Sequence, residues 1–503
     1  MAALLESRGL RDVDAREKFG QPNIFALAAE LLPACRRGAE RRGLPVAALD
    51  SGPPGDEEIV ITRPLRAYIR GGFFFVPLGL QLACLLVFGE SLWASLHFTT
   101  AQASVVAGSV GLSFTVTAGF IQALGYLGPM FAGAEKYILE RRITYRLTGV
   151  AVLAVVVVGA LVYGGNELFG VFPRNLVQVG LVYYALQCGL LLSNAVLYML
   201  RRYSLILLTT ICGLAAVQLT RTLAGTGLYV SHWLGVTVAI IVSLALSDLV
   251  LRRRARTTEG DLRLATLPER STLVRYSAPT FIYGVLYFSF LFADRLVAWS
   301  AGHHPLAVWF SSNYELGLDW ALISVVGAMA YLEVIVNAIS LRLLTAQRDY
   351  RGGETQRHNT DLRSFYMRQM GRMLVLIIVL GVVVHVVVGL ITEIPGSGDV
   401  TRYLSQSDTQ SVHLWAVVGY GLIALALANI VILTSLALRW PITYALGAAI
   451  VVGVPLSIIL SRTGPFWWSV IGMVAGALVM FLVSTVYTWR ALERADYHSF
   501  ARY

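Results

Sequence analysis

Twelve long apolar runs, separated by short polar breaks, leave this chain very few ways to fold. They cover residues 71–95, 103–127, 147–165, 175–199, 203–221, 226–250, 278–299, 318–341, 373–392, 411–437, 441–460 and 466–489. A helix that crosses the hydrocarbon of a bilayer needs about 20 mainly apolar residues, and each run is near that length. Hydrocarbon offers backbone groups no water, so a run of this kind satisfies its peptide groups internally, as a helix. The fold class that follows is an all-α polytopic membrane protein. Composition agrees: only 14% of the 503 residues are charged, against roughly 25% in soluble domains.

The charges that remain are distributed unequally. Net charge is +10, which in a soluble chain would point to nucleic acid; here the sorting of arginines between loops gives a topological reason instead. With the N-terminus inside, the inward loops and C-terminal tail hold 24 Lys and Arg and the outward loops hold four. That imbalance is the signature of the positive-inside rule. It predicts twelve spans with both termini in the cytoplasm and no nucleic-acid partner; 38 Arg against 2 Lys suggest a bacterial gene, and with it a bacterial inner membrane.

The spans fall into two groups of six. The expected layout is a cytoplasmic N-terminal extension over 1–66, a six-helix bundle over 67–251, a basic cytoplasmic linker over 252–276, a second bundle over 277–490 and a tail over 491–503. Two bundles joined by an inward linker are a common transporter plan, with the substrate path between the halves. In the extension, 23–43 reads as a short amphipathic helix interrupted near Pro33, and SGPPGDEE (51–58) as a linker. The loop 346–372 reads as holding a surface helix before span 9.

Four cysteines and eight histidines show no CxxC, no HExxH and no i, i+4 histidine pair, so neither a metal site nor a cofactor is implied. There is no GxxxxGK[ST] motif and hence no basis for ATP hydrolysis. His303 and His304 read as loop residues, and Trp299, Trp309, Trp467 and Trp468 as interfacial anchors.

Polar residues inside the apolar runs carry more information. A charge at mid-bilayer costs about 2.5–3.5 kcal/mol even on the lenient insertion scale. In span 7, Tyr283, Tyr287 and Asp294 fall within about 40° of one another on a helical wheel, while Arg295 points about 100° away. In span 8, Asp319, Glu333, Asn337 and Ser340 share an arc of roughly 60°. Span 4 carries Tyr184, Gln187, Asn194 and Tyr198. Two readings fit these stripes. They line a hydrated substrate pathway, in which Asp294 or Glu333 binds a proton, a cation or a substrate hydroxyl. Alternatively Arg295 forms a structural ion pair with Asp294 or Glu333, and the amides join helices by hydrogen bonds. His385, alone among valines, reads as a histidine satisfied by a neighbouring helix or as a proton relay.

The segment from Arg275 and SAPT (277–280) to FADRLVAWSAG (292–302) resembles the MATE-like flippases of the MOP superfamily. Its continuation, VWFSSNYELGLDWALISVVGAMAYLEV (308–334), with RSFYMRQ (363–369), is similar to the membrane subunit of Pel-type exopolysaccharide secretion systems (the PelG family). The resemblance covers about 100 of the chain's residues, 275–375. It implies a transporter rather than an enzyme, one that exports a polysaccharide or flips a lipid-linked saccharide. It also implies contact with membrane lipids and with a cytoplasmic glycosyltransferase. The alternatives are a noncatalytic anchor subunit of a polysaccharide-synthesis complex and a cation-coupled multidrug exporter of the same fold. A membrane enzyme with a polyprenyl-linked donor is disfavoured, because the first outward loop is short and Glu90 is its only acid.

Overall fold

The computed structural model describes residues 12–23, 25–31, 56–256, 267–302, 304–349, 355–392, 404–495 and 497. Among them there is no strand, only an isolated bridge between Glu90 and Ser95. The chain divides into two units, Met1–Arg66 and Ala67–Tyr503.

In the smaller unit lie α1 (Asp12–Phe19) and α2 (residues 25–31). Lys18 pairs with Asp14 across one turn of α1 at 2.9 Å. The Asn23 side chain accepts from the Ala26 amide at the start of α2, a local bond typical of helix entry. The interruption expected near Pro33 lies outside the described residues.

The helix α3 (Asp56–Phe73) begins inside the stretch expected to be a linker, since Asp56, Glu57 and Glu58 are helical. It is followed by α4 (Val76–Phe88), and the two meet at a 45° bend. The cause is local: Pro77 stands at the head of α4, lacks an amide hydrogen and disfavours helical geometry at the residue before it. Gly89, at φ +73°, ends α4 in a conformation glycine adopts without strain.

Eleven single helices complete the array: α5 (Thr100–Gly133), α6 (Tyr137–Phe169), α7 (Arg174–Met199), α8 (Tyr203–Thr222), α9 (Leu228–Arg256), α10 (Arg270–Trp299), α11 (Ser312–Asp349), α12 (Thr355–Thr392), α13 (Ser407–Ser435), α14 (Trp440–Thr463) and α15 (Ser469–Glu493). Among the described residues eleven helices are long and apolar enough to cross a membrane, and the bent α3/α4 pair makes a twelfth span when counted as one. The surface helix expected before span 9 is not separate. It is the first part of the continuous α12, held to the end of α15 by Arg363 with Glu493 at 2.9 Å.

Helices α4–α9 pack among themselves, as do α10–α15, and the two sets meet broadly along α5 and α10. That seam is tight. A Cβ on Gly284 of α10 would collide with the backbone carbonyl of Ala118 on α5, and Phe114 of α5 stacks on Phe288 and Phe292 of α10 at 5.1 and 6.0 Å. The largest apolar core belongs to the second set, around Tyr314, Leu318, Val325, Ile335, Ile423 and Ala445. On its flank His385 lies in the stack rather than isolated: Trp320, His413 and His385 lie face to face, with His413 at 3.8 Å from Trp320 and 5.5 Å from His385.

Candidate functional site

The Asp294–Arg295 pair occupies the last turns of α10, and α11 crosses it through Tyr314 and Glu315. Acidic Glu315 sits in the first turn of α11, where the helix dipole favours a carboxylate. Two bonds tie the helices together at adjacent residues. Tyr314 donates its hydroxyl to Asp294 Oδ2 at 2.7 Å, and Arg295 Nη1 donates to Glu315 Oε2 at 2.7 Å. From behind, Ser469 of α15 donates to Tyr314 Oη at 2.9 Å, and Arg295 Nη2 donates to Tyr420 Oη of α13 at 3.2 Å. Asp294 is 3% exposed and Glu315 8%, so this is a buried double latch between two helices, braced by two more.

The ion pair of Arg295 is therefore made to Glu315, which is neither of the partners expected for it. Glu315 escaped notice because the apolar run of span 8 starts at 318, whereas the helix starts at Ser312. Trp299, expected as an interfacial anchor, is instead buried at 2% exposure.

One turn farther along α11 than Glu315, Asp319 is exposed and close enough for Arg295 and Tyr420 to feel its charge. An exposed carboxylate beside a guanidinium is costly to place against hydrocarbon. Tyr287 and Tyr283 of α10, both half-buried, stack on each other at 5.9 Å. Tyr287 interacts with Tyr420, and Tyr283 with Tyr198 at the end of α7. Tyr198 in turn packs edge-on against Phe74 at 5.2 Å and Tyr203 at 5.6 Å. Glu333, half-buried and 14 residues beyond Asp319, or about 21 Å along the helix, lies within electrostatic range of both Tyr198 and Tyr203, and Arg70 and Arg201 lie within such range of Tyr203.

These residues form a polar and aromatic tract joined by ring contacts and by charges within electrostatic range. It starts at the latch, runs down the tyrosines of α10 and ends among Tyr198, Tyr203 and Glu333, so it is walled by both helix sets. Among the described residues neither Asp319 nor Glu333 has an ion-pair partner. Tyr203, Tyr420 and Arg70 were not legible as members, because each stands on a helix whose sequence shows no stripe.

The other expected residues lie elsewhere. Asn337 uses its amide within α11, donating to the Glu333 carbonyl at 2.8 Å. Asn194 Oδ1 accepts from Thr209 at 3.3 Å and Ser243 at 2.9 Å, joining α7 to α8 and α9. Gln187 is buried on α7 at 4% exposure. Among the described residues no group of three or more His, Cys, Asp or Glu is arranged to hold a metal ion.

No protein-family model matches this chain, and no curated protein does either. Solved structures do. The MATE transporter VcmN of Vibrio cholerae, in its bent form, aligns with a TM-score of 0.59 at 14% identity, over 87% of this chain and 97% of its own. A MOP superfamily transporter from Pyrococcus furiosus aligns at 0.57 and 14% identity, over 85% and 96%. The eukaryotic MATE transporter AtDTX14 aligns at 0.55 and 19% identity, over 86% and 98%. The fold is that of MATE-like transporters.

Proposed function

We propose that the chain is a membrane transporter that exports a polysaccharide, or flips a lipid-linked saccharide, through the gap between α4–α9 and α10–α15. The single observation that carries this reading is the tract from Asp319 to Glu333: a membrane protein gains nothing from one exposed and one half-buried carboxylate and stacked tyrosines along one seam unless something hydrated moves past them. Tyrosine faces stack on the C–H faces of sugar rings, while Asp, Glu and Asn exchange hydrogen bonds with hydroxyls. In this reading the protein sits in a bacterial inner membrane with both termini in the cytoplasm. The described ends of α9, α10, α12 and α15 then present arginines to the cytoplasm, where a glycosyltransferase would hand over its product.

A second reading, a cation-coupled multidrug exporter, has one observation in its favour: two unpaired carboxylates in the tract suit a positively charged cargo. The test is to express Asp319→Asn and Glu333→Gln in the native host at equal membrane levels. Surface and secreted saccharide, and resistance to lipophilic cations, are then both measured. Loss of saccharide with unchanged drug resistance supports saccharide export. Unchanged saccharide with lost resistance selects the exporter, and no change in either rejects the tract as a pathway.

A further inference from the structure

Away from the tract, α6 and α9 bring arginines together where their apolar runs end. The run of α6 begins at residue 147 and that of α9 ends at 250, so Arg141, Tyr145, Asp248 and Arg252 stand at the boundary between hydrocarbon and headgroups. Arg252 Nε donates to Asp248 Oδ2 at 2.6 Å. Arg141 Nη2 lies 3.8 Å from Asp248 Oδ1, and Tyr145 donates its hydroxyl to that same oxygen. The Arg141 guanidinium is also 5.5 Å from the centre of the Tyr145 ring. Two guanidiniums from two helices thus converge on a single carboxylate, which neutralises only one of them. Neither is enclosed: the side chains of Arg141 and Arg252 are 35% and 56% exposed.

The neighbourhood does not supply the missing negative charge. Residues 137–146 and 248–256 carry seven arginines and two acids, and the second acid, Glu140, is held by Arg254 at 3.3 Å. Farther along both helices the surface is apolar and open, with Val152, Leu153 and Val156 of α6 and Leu244 and Leu249 of α9 exposed.

We propose that this cluster binds the phosphodiester headgroup of an anionic phospholipid, in the leaflet at that end of the helix array. The argument is one of charge complementarity and place, and it does not depend on the cargo. A phosphodiester offers its oxygens to two guanidiniums at once and brings the charge that Asp248 leaves unmatched. Its acyl chains then lie along the exposed apolar faces of α6 and α9. A zwitterionic lipid carries a cation of its own into the arginines and gains less. Basic pockets between helix ends are suited to anionic headgroups in this way. The consequence is mechanical: among the described residues α6 is one of the two least buried spans, and a headgroup held by Arg141 and Arg252 ties it to α9.

The test uses the full chain in dodecyl maltoside micelles holding equal amounts of dioleoylphosphatidylglycerol and dioleoylphosphatidylcholine, with bound lipid counted by native mass spectrometry. One phosphatidylglycerol is expected to be retained in preference to phosphatidylcholine. Arg141→Gln combined with Arg252→Gln should weaken that retention about tenfold or more. Arg368→Gln combined with Arg372→Gln removes the same charge from exposed arginines of α12 and should bind as the wild type does. Asp248→Asn keeps both arginines and lifts the repulsion of the phosphate, so it should bind about threefold more tightly. Excess sodium phosphate should leave the lipid in place. Equal retention of the two lipids, or an equal loss in the α12 double variant, overturns the site, and displacement by phosphate alone replaces the lipid with a free anion. Where the α6/α9 double variant does not fold, Asp248→Asn decides: binding no tighter than wild type overturns the proposal.

Discussion

At the scale of single residues, the protein solves the problem of an arginine inside an apolar array by giving it a buried carboxylate from the next helix. Breaking such a pair from one side strands a charge and costs about 3–5 kcal/mol, whereas replacing both partners with apolar groups is often neutral. Glu315→Ala should therefore lower the thermal midpoint of the detergent-solubilised protein far more than the double variant Arg295→Met with Glu315→Leu. A double variant as unstable as the sum of its singles would show no coupling between the two side chains and this account to be wrong. Tyr314→Phe belongs to the same set: it strips the donor from Asp294 and leaves a buried carboxylate short of one bond, a loss of about 1–3 kcal/mol.

At the scale of helices, much of the order can be traced to residues that make close approach possible or prevent a turn. Pro77 breaks the first span into α3 and α4. Gly284 lets α10 lie against the backbone of α5, where any Cβ would strike Ala118. Gly284→Ala should lower both the thermal midpoint and export, because it pushes apart the seam on which the two sets meet. Gly125→Ala, on α5 with nothing within 4 Å of its new methyl, should be neutral or stabilising by up to about 1 kcal/mol, since alanine is the better helix former. Equal melting curves for the two variants would mean that the α5–α10 contact carries no strain-sensitive packing.

At the scale of the whole molecule, the orientation expected from loop charge is open to a direct check. Single cysteines placed at Glu135 and at Gly225 lie at opposite ends of the helix array, the first between α5 and α6 and the second between α8 and α9. A membrane-impermeant maleimide applied to intact cells should label the position at 225 and spare that at 135. The reverse pattern would invert the topology, and with it the direction of transport proposed here.

The number of spans, the six-and-six grouping of runs and the placement of acids on one face of α11 are properties of the sequence, because hydrophobic length and helical period act locally. Asp319 and Glu333 could be read that way, and so could the stacked tyrosines of α10. The sequence could not assign Arg295 its partner, bury Trp299, or bring Tyr203, Tyr420 and Arg70 to the same gap as Glu333. Those depend on how helices far apart in the chain pack side by side. The aqueous or lipid exposure of a helix face is set by its neighbours, and a wheel drawn from one helix contains no information about them. Local periodicity decided which residues share a face; packing decided which faces share a space.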